Sequence, residues 1–416
     1  MTSASAVDPQ ADRSVLRALR KSGDLSRDGR GRVSAMPPIL QYGFRPFFFL
    51  AAVYAGAAIP AWLWMYFSGH ALPGPFPGLH WHAHEMLFGY LQAVLAGFVL
   101  TAIPNWTGRL PLSEWPLAGL VSLWLAGRIA CAVAPGLVAA FLVDISFPVV
   151  LGFAVWREVV AGRNWKNVPV AVIIVLFGLA NALDHAANLG FVPHDLGVRL
   201  GLGAIAMLLS LIGGRIVPSF TRNWLAKHGE TRLPASFGVL DKAALAATAV
   251  GAAAWVALPD STAAGATLCL AGVLLVVRLA RWQGHRTTRE PIVLILHVGY
   301  AWLGIALLLL GGSVFLDTLP ESAALHALTA GAIGIMTLAV MSRASLGHTG
   351  REIVADRAVI AAYAAVTTGA VFRVTAPLAG DWYPHLLVCG GALWSGAFLL
   401  FAIRYAPILW GRRLGA

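Results

Sequence analysis

A chain of 416 residues, 58% hydrophobic, only 12% charged and with a mean hydropathy of +0.73, lies outside the class of soluble globular domains, where about a quarter of residues are charged. The formal net charge of +11 does not point to nucleic acid, because the basic residues are spread over short connectors between apolar segments. Cys131, Cys269 and Cys389 stand singly in apolar segments, with no spacing for a disulfide, a zinc knuckle or covalent haem attachment, and each reads as a small buried hydrophobe.

Residues 1 to about 37 carry seven Lys or Arg and four Asp among few large apolar residues, so a disordered basic cytoplasmic tail is expected there. From 38 to 416 the chain reads as one membrane domain. Twelve apolar segments follow in order, at about 44–67, 82–103, 117–133, 137–160, 168–189, 196–217, 239–258, 263–279, 292–314, 322–341, 359–376 and 385–401. Each is long enough to cross a hydrocarbon core of about 30 Å as a helix. The expected fold is therefore all-α, a polytopic bundle of about twelve transmembrane helices.

Alternate connectors collect the positive charge, at Arg109, at Arg157, Arg163 and Lys166, at Arg222, Lys227 and Arg232, at Arg281, Arg286 and Arg289, and at Arg351 and Arg357. The positive-inside rule then puts those connectors and both termini in the cytoplasm. Arg199 and Arg373, near the other span ends, run against this and are outnumbered.

Polar residues concentrate where the second span begins, at His80-Trp81-His82-Ala83-His84-Glu85-Met86. The preceding Pro73-Gly74-Pro75-Phe76-Pro77-Gly78 forbids a helix before about Leu79, so the histidines fall in the first turns. In a helix His80 and His84 share one face, while His82, Glu85 and Met86 share another, so one helix could serve two neighbouring sites. His80, His82, His84, His185 and His326 are the candidate metal ligands, with Asp184 a carboxylate partner beside His185. The second and tenth spans echo each other. His84 and His326 each stand 25 residues before an arginine that closes a Thr-Gly-Arg sequence, and Gly89 matches Gly331, so His84 and His326 should lie at one depth. His297 and His348 are expected nearer the cytoplasm, level with Arg215 and Arg343. Those two guanidiniums either snorkel to the surface or hold haem propionates.

Five stretches together resemble one family: Gly43-Phe44-Arg45-Pro46-Phe47-Phe48, Trp81 to Gly89, Pro104-Asn105-Trp106-Thr107-Gly108-Arg109, His297-Val298-Gly299-Tyr300-Ala301-Trp302, and Met341 to Arg351. The chain is similar over nearly its whole length after the tail to the NnrS family. That resemblance implies a bacterial cytoplasmic-membrane protein containing noncovalent haem b and copper and tied to nitric oxide metabolism or nitrosative stress, with a still unknown electron donor. It carries His82, His84, Glu85, Met86, His297, His326 and His348 over as candidate functional residues. The expectation is an outer, periplasmic site of His82, His84 and His326, with His185 a further candidate, where nitric oxide is bound and reduced. Glu85 would supply protons there, and an inner haem near His297 and His348 would pass electrons. The alternatives are a nitric oxide binder without turnover and a copper or small-solute transporter. Haem-copper oxidases and nitric oxide reductases share the twelve spans of their main subunit, but their adjacent His-His pair is missing here, so that likeness is one of parts only.

Overall fold

The computed structural model describes residues 36–414, so the expected tail lies outside the described residues except at its end. Twelve helices are long and apolar enough to cross a membrane. We number them α1 (Phe44–Ser68), α2 (Gly78–Pro104), α3 (Glu114–Val133), α4 (Leu137–Ala161), α5 (Trp165–Asn188), α6 (Leu196–Lys227), α7 (Val239–Ala257), α8 (Thr262–Ala280), α9 (Pro291–Gly312), α10 (Glu321–His348), α11 (Arg357–Leu378) and α12 (Gly380–Trp410). No strand occurs among the described residues. The apolar runs locate every span. They stop short in α6, α10 and α12, because the helix continues through Pro218, Arg343 and Pro407, where hydropathy falls but helical geometry persists.

Three helices form the core. In their most apolar stretches, 83% of α2, 67% of α6 and 72% of α10 are buried, against 28% to 61% in the other nine, which form the outer ring. Lipid offers no drive for helices to associate through bulk apolarity, so close packing carries the contact. A Cβ on Gly272 of α8 would lie 2.9 Å from the carbonyl oxygen of Gly304 on α9, and one on Gly369 of α11 equally close to that of Gly390 on α12. Exposed Trp64, Trp115, Trp165 and Trp382 stand near helix ends, as an aromatic belt requires. The two ends of the bundle chain meet, since Arg45 at the start of α1 donates to the carbonyls of Leu409 (2.8 Å) and Gly411 (2.7 Å).

The three core helices are also the three that are interrupted. Each contains a wider π segment, Glu85–Leu91 in α2, Leu209–Gly213 in α6 and Ala327–Ile333 in α10. In α2 and α10 that segment begins one residue after the histidine and runs for seven residues. The likeness continues to the helix end. Thr107 and Thr349 each bond back to the carbonyl four residues earlier (2.9 and 2.6 Å). Gly108 and Gly350 then take left-handed φ values of 69° and 73°, a conformation that stops a helix at little steric cost only for glycine. The Thr-Gly-Arg echo in the sequence is thus a shared helix stop.

A buried candidate metal centre on one face of α2

Pro77 is extended and its carbonyl accepts from Trp81 N–H at 2.8 Å, so α2 starts just ahead of the histidines and sends their side chains in two directions. At about 100° per residue, His82 and His84 point roughly 200° apart. His80 and His84 turn toward α4 and α5. His82 turns toward α1 and α10.

On the first face His84 is fully buried. Its Nδ1 lies 2.7 Å from Asp184 Oδ2, and its Nε2 lies 3.2 Å from Asp144 Oδ2 and 3.6 Å from Cys131 Sγ. His185 brings its Nε2 to 3.1 Å from the same Asp144 oxygen, which also accepts from Asn181 at 3.0 Å. The ligand atoms of His84, Cys131, Asp144 and His185 all lie within 4.8 Å of one another, and those of His80, His84 and Asp184 form a second such group. His80 completes it with its Nε2 3.1 Å from Asp184 and 2.7 Å from Asn188 Nδ2. Phe76, from the loop before α2, lays its ring 4.9–5.4 Å from those of His80, His84 and His185 and closes the site with apolar surface.

α3 supports this centre with one stripe. Trp124, Arg128 and Cys131 follow at four- and three-residue intervals and share a face. Trp124 donates to the carbonyl of Gly89 in the π segment (3.0 Å). Arg128 donates to Glu85 Oε2 at 2.5 Å and to Asp144 Oδ1, so one guanidinium ties the π segment to the cluster. Tyr54 donates its hydroxyl to the same Glu85 oxygen. Glu85 is therefore completely buried between a phenol and an arginine rather than open to solvent.

The charge balance shows what such a cluster can take. Glu85, Asp144 and Asp184 are buried, and Arg128 is the only Lys or Arg with which the described structure pairs them. His84 meets a carboxylate oxygen at both ring nitrogens. Buried charge is costly unless compensated, so a cation amid these donors, an imidazolium or a metal ion, is what the arrangement favours. Two imidazoles, a thiolate and a carboxylate are ligands for copper or zinc, and Asp184 on His84 Nδ1 is the usual orienting partner of a ligating imidazole. The His185 Nδ1 and Asp184 Oδ1 have no partner.

On the second face the rings of His82 and His326 lie parallel, 8° apart in plane and 6.5 Å between centroids. His326 Nδ1 is 2.7 Å from the carbonyl oxygen of Ser322 and so must donate, which leaves Nε2 with its lone pair. His82 Nδ1 is buried without a partner, and its ring stacks on Trp62 at 4.3 Å. Met86 packs among apolar side chains.

The remaining candidates lie elsewhere. His297 Nε2 is 2.7 Å from the hydroxyl of Thr221, while the exposed His348 ring lies 5.6 Å from Phe44, and neither joins a group of three metal-binding side chains among the described residues. Arg343 stacks on Phe220 at 3.7 Å, and Arg215 reaches Asn167 at 3.4 Å.

The family profile described as NnrS protein matches residues 38–413. The chain belongs to the NnrS family. No curated protein matches it at a significant level. In this family member, the Trp81 to Gly89 stretch is the start of α2 with both histidine faces and most of the π segment, and Met341 to Arg351 is the matching end of α10. Cys131, read from sequence as a buried hydrophobe, is buried but stands among metal-binding side chains. Arg128 and Asp144 escaped the sequence reading altogether. The signal for both was present, since each is an ionisable residue inside an apolar span, where such a group needs a partner.

Proposed function

We propose that this protein handles nitric oxide at two metal positions on opposite faces of α2. Copper would be held by His84, Cys131, Asp144 and His185, and His82 and His326 would hold the iron of a noncovalent haem b. The observation that carries the reading is the buried four-donor cluster within 4.8 Å, set among more carboxylates than fixed cations. Iron and copper, when bound, supply the redox and nitrosyl chemistry. The protein's own contribution is positional: Asp184 orients His84, Ser322 fixes the tautomer of His326, Arg128 holds Asp144 in place, and Phe76 keeps water from the histidine rings.

The charge pattern of the connectors supports placing the histidine end on the periplasmic side of a bacterial inner membrane, with both chain ends in the cytoplasm. Reduction to nitrous oxide also needs protons and an electron donor. Glu85, held by Arg128 and Tyr54, is the carboxyl group at hand, and its ion pair is the specific observation favouring a second reading, nitric oxide binding without turnover. Purified protein given reductant and nitric oxide separates the two. Nitrous oxide formation that is lost with copper in Cys131→Ser supports the enzyme, and a stable nitrosyl spectrum without product supports the binder. Copper content unchanged in both Cys131→Ser and His185→Ala would overturn the site.

A further inference from the structure

The three π segments converge on a void. Leu91 and Val94 of α2, Leu208 and Ile212 of α6, and Ile333 and Met336 of α10 are among the walls of a cavity of about 70 Å³. It begins where the π segments of α2 and α10 end, and its α6 wall includes Leu209, Ile212 and Gly213 of the third. Its walls are apolar except for Thr337, whose hydroxyl is committed to the carbonyl of Ile333 (2.7 Å) and to the hydroxyl of Tyr90 (2.5 Å). Phe98, Leu209, Ile216 and Val340 of the walls are only half-buried, so the cavity opens toward the outside of the bundle at these positions.

These walls select a ligand by elimination. Water needs two to four polar partners, and none is free in this lining. A charged ligand would have no counter-charge. A haem is far larger than the void and would find no histidine, cysteine or carboxylate among the wall residues. What fits is a neutral apolar species of a few atoms, the class that dissolves in the bilayer and fills dry cavities. We propose that this cavity is a binding site for a small apolar gas, loaded from the lipid and lying on the path to the buried histidines. The path is short. Phe88, three residues before Leu91, lies with its ring 5.4 Å from that of His84, and a Cβ on Gly201 of α6 would come within 3.2 Å of it. That the gas is nitric oxide rests on the function proposed above, whereas gas binding itself does not.

Xenon is the probe. With the full chain in lipid nanodiscs, xenon-129 magnetic resonance is expected to show saturable binding above that of empty nanodiscs. Val94→Phe and Val340→Phe, which fill the cavity from two different helices, should each weaken it by roughly tenfold or more. Leu208→Ala enlarges the cavity and should keep the bound signal with a changed shift, so the test survives if a filling variant does not fold. No bound xenon in the unsubstituted protein, an unchanged affinity in both filling variants, or a retained acyl chain that blocks xenon would overturn the proposal. Nitric oxide association with the metal-loaded protein, followed in the same variants, should slow. If it does not while xenon binding behaves as expected, the gas site stands and its place on the nitric oxide path falls.

Discussion

α2 and α10 are built alike and used differently. Each has a histidine, then a seven-residue π segment, a glycine within it, and the same threonine and left-handed glycine at the end. Yet the position after the histidine is Glu85 in one and Ala327 in the other. Glu85 needs the cation that α3 supplies, and with Arg128 come Asp144 and the candidate metal cluster. Ala327 needs nothing, so α10 presents a single imidazole to its neighbour. A common backbone break thus sets where a histidine stands, and the adjacent helices decide what it can bind.

Arg128 should be the most sensitive position in this comparison. Arg128→Leu leaves Glu85 and Asp144 buried without their fixed cation, and breaking such a pair by removing one partner costs about 3–5 kcal/mol. Thermal unfolding in detergent should show a large fall in midpoint together with loss of copper. A variant as stable and as well loaded as the parent would remove the distinction drawn between the two helices.

The two π-segment glycines offer a smaller and more discriminating pair. A Cβ at Gly89 would lie 2.6 Å from Glu85 Oε2 and 2.7 Å from Arg128 Nη1, whereas one at Gly331 would lie 2.6 Å from the ring of Trp302. Both alanine variants should lose about 1–3 kcal/mol through overpacking. Only Gly89→Ala should also lose copper, which metal analysis reads directly. Copper loss in Gly331→Ala instead would mean that the break itself, not its neighbours, builds the site.

Asp356 gives the smallest effect and a control outside both regions. It caps α11, accepting from Val359 N–H at 3.0 Å and pairing with Arg404 at 2.5 Å, and these contacts, the backbone bond first, hold its carboxyl below the usual range. A lowered folded pKa contributes stability above the ordinary carboxylate range, and that stability is lost as pH falls through the lowered value. Asp356→Ala should cost about 1 kcal/mol near neutral pH and less in acid, with metal content unchanged.

Much of this was legible in the sequence, and the gaps have physical causes. Twelve spans follow from hydropathy, and the two faces of α2 from the spacing of His80, His82 and His84. The equal depth expected for His84 and His326 suggested a shared site, but depth fixes only one coordinate. The azimuth of each residue about its helix turns His82, not His84, toward His326. Cys131 was opaque because a lone thiol in an apolar span looks like any small hydrophobe until α4 and α5 are set beside it. Arg128 and Asp144 were legible in principle, since an intramembrane charge implies a partner, but nothing local says that the two partners are each other.

The central claim is that opposite faces of α2 hold separate metal positions. Haem and copper per chain, measured by absorption spectra and metal analysis in His82→Ala and His84→Ala, test it most directly. The account predicts that His84→Ala loses copper and keeps haem, while His82→Ala loses haem and keeps copper. Equal loss of the same cofactor in both variants, or full retention of both, would contradict it.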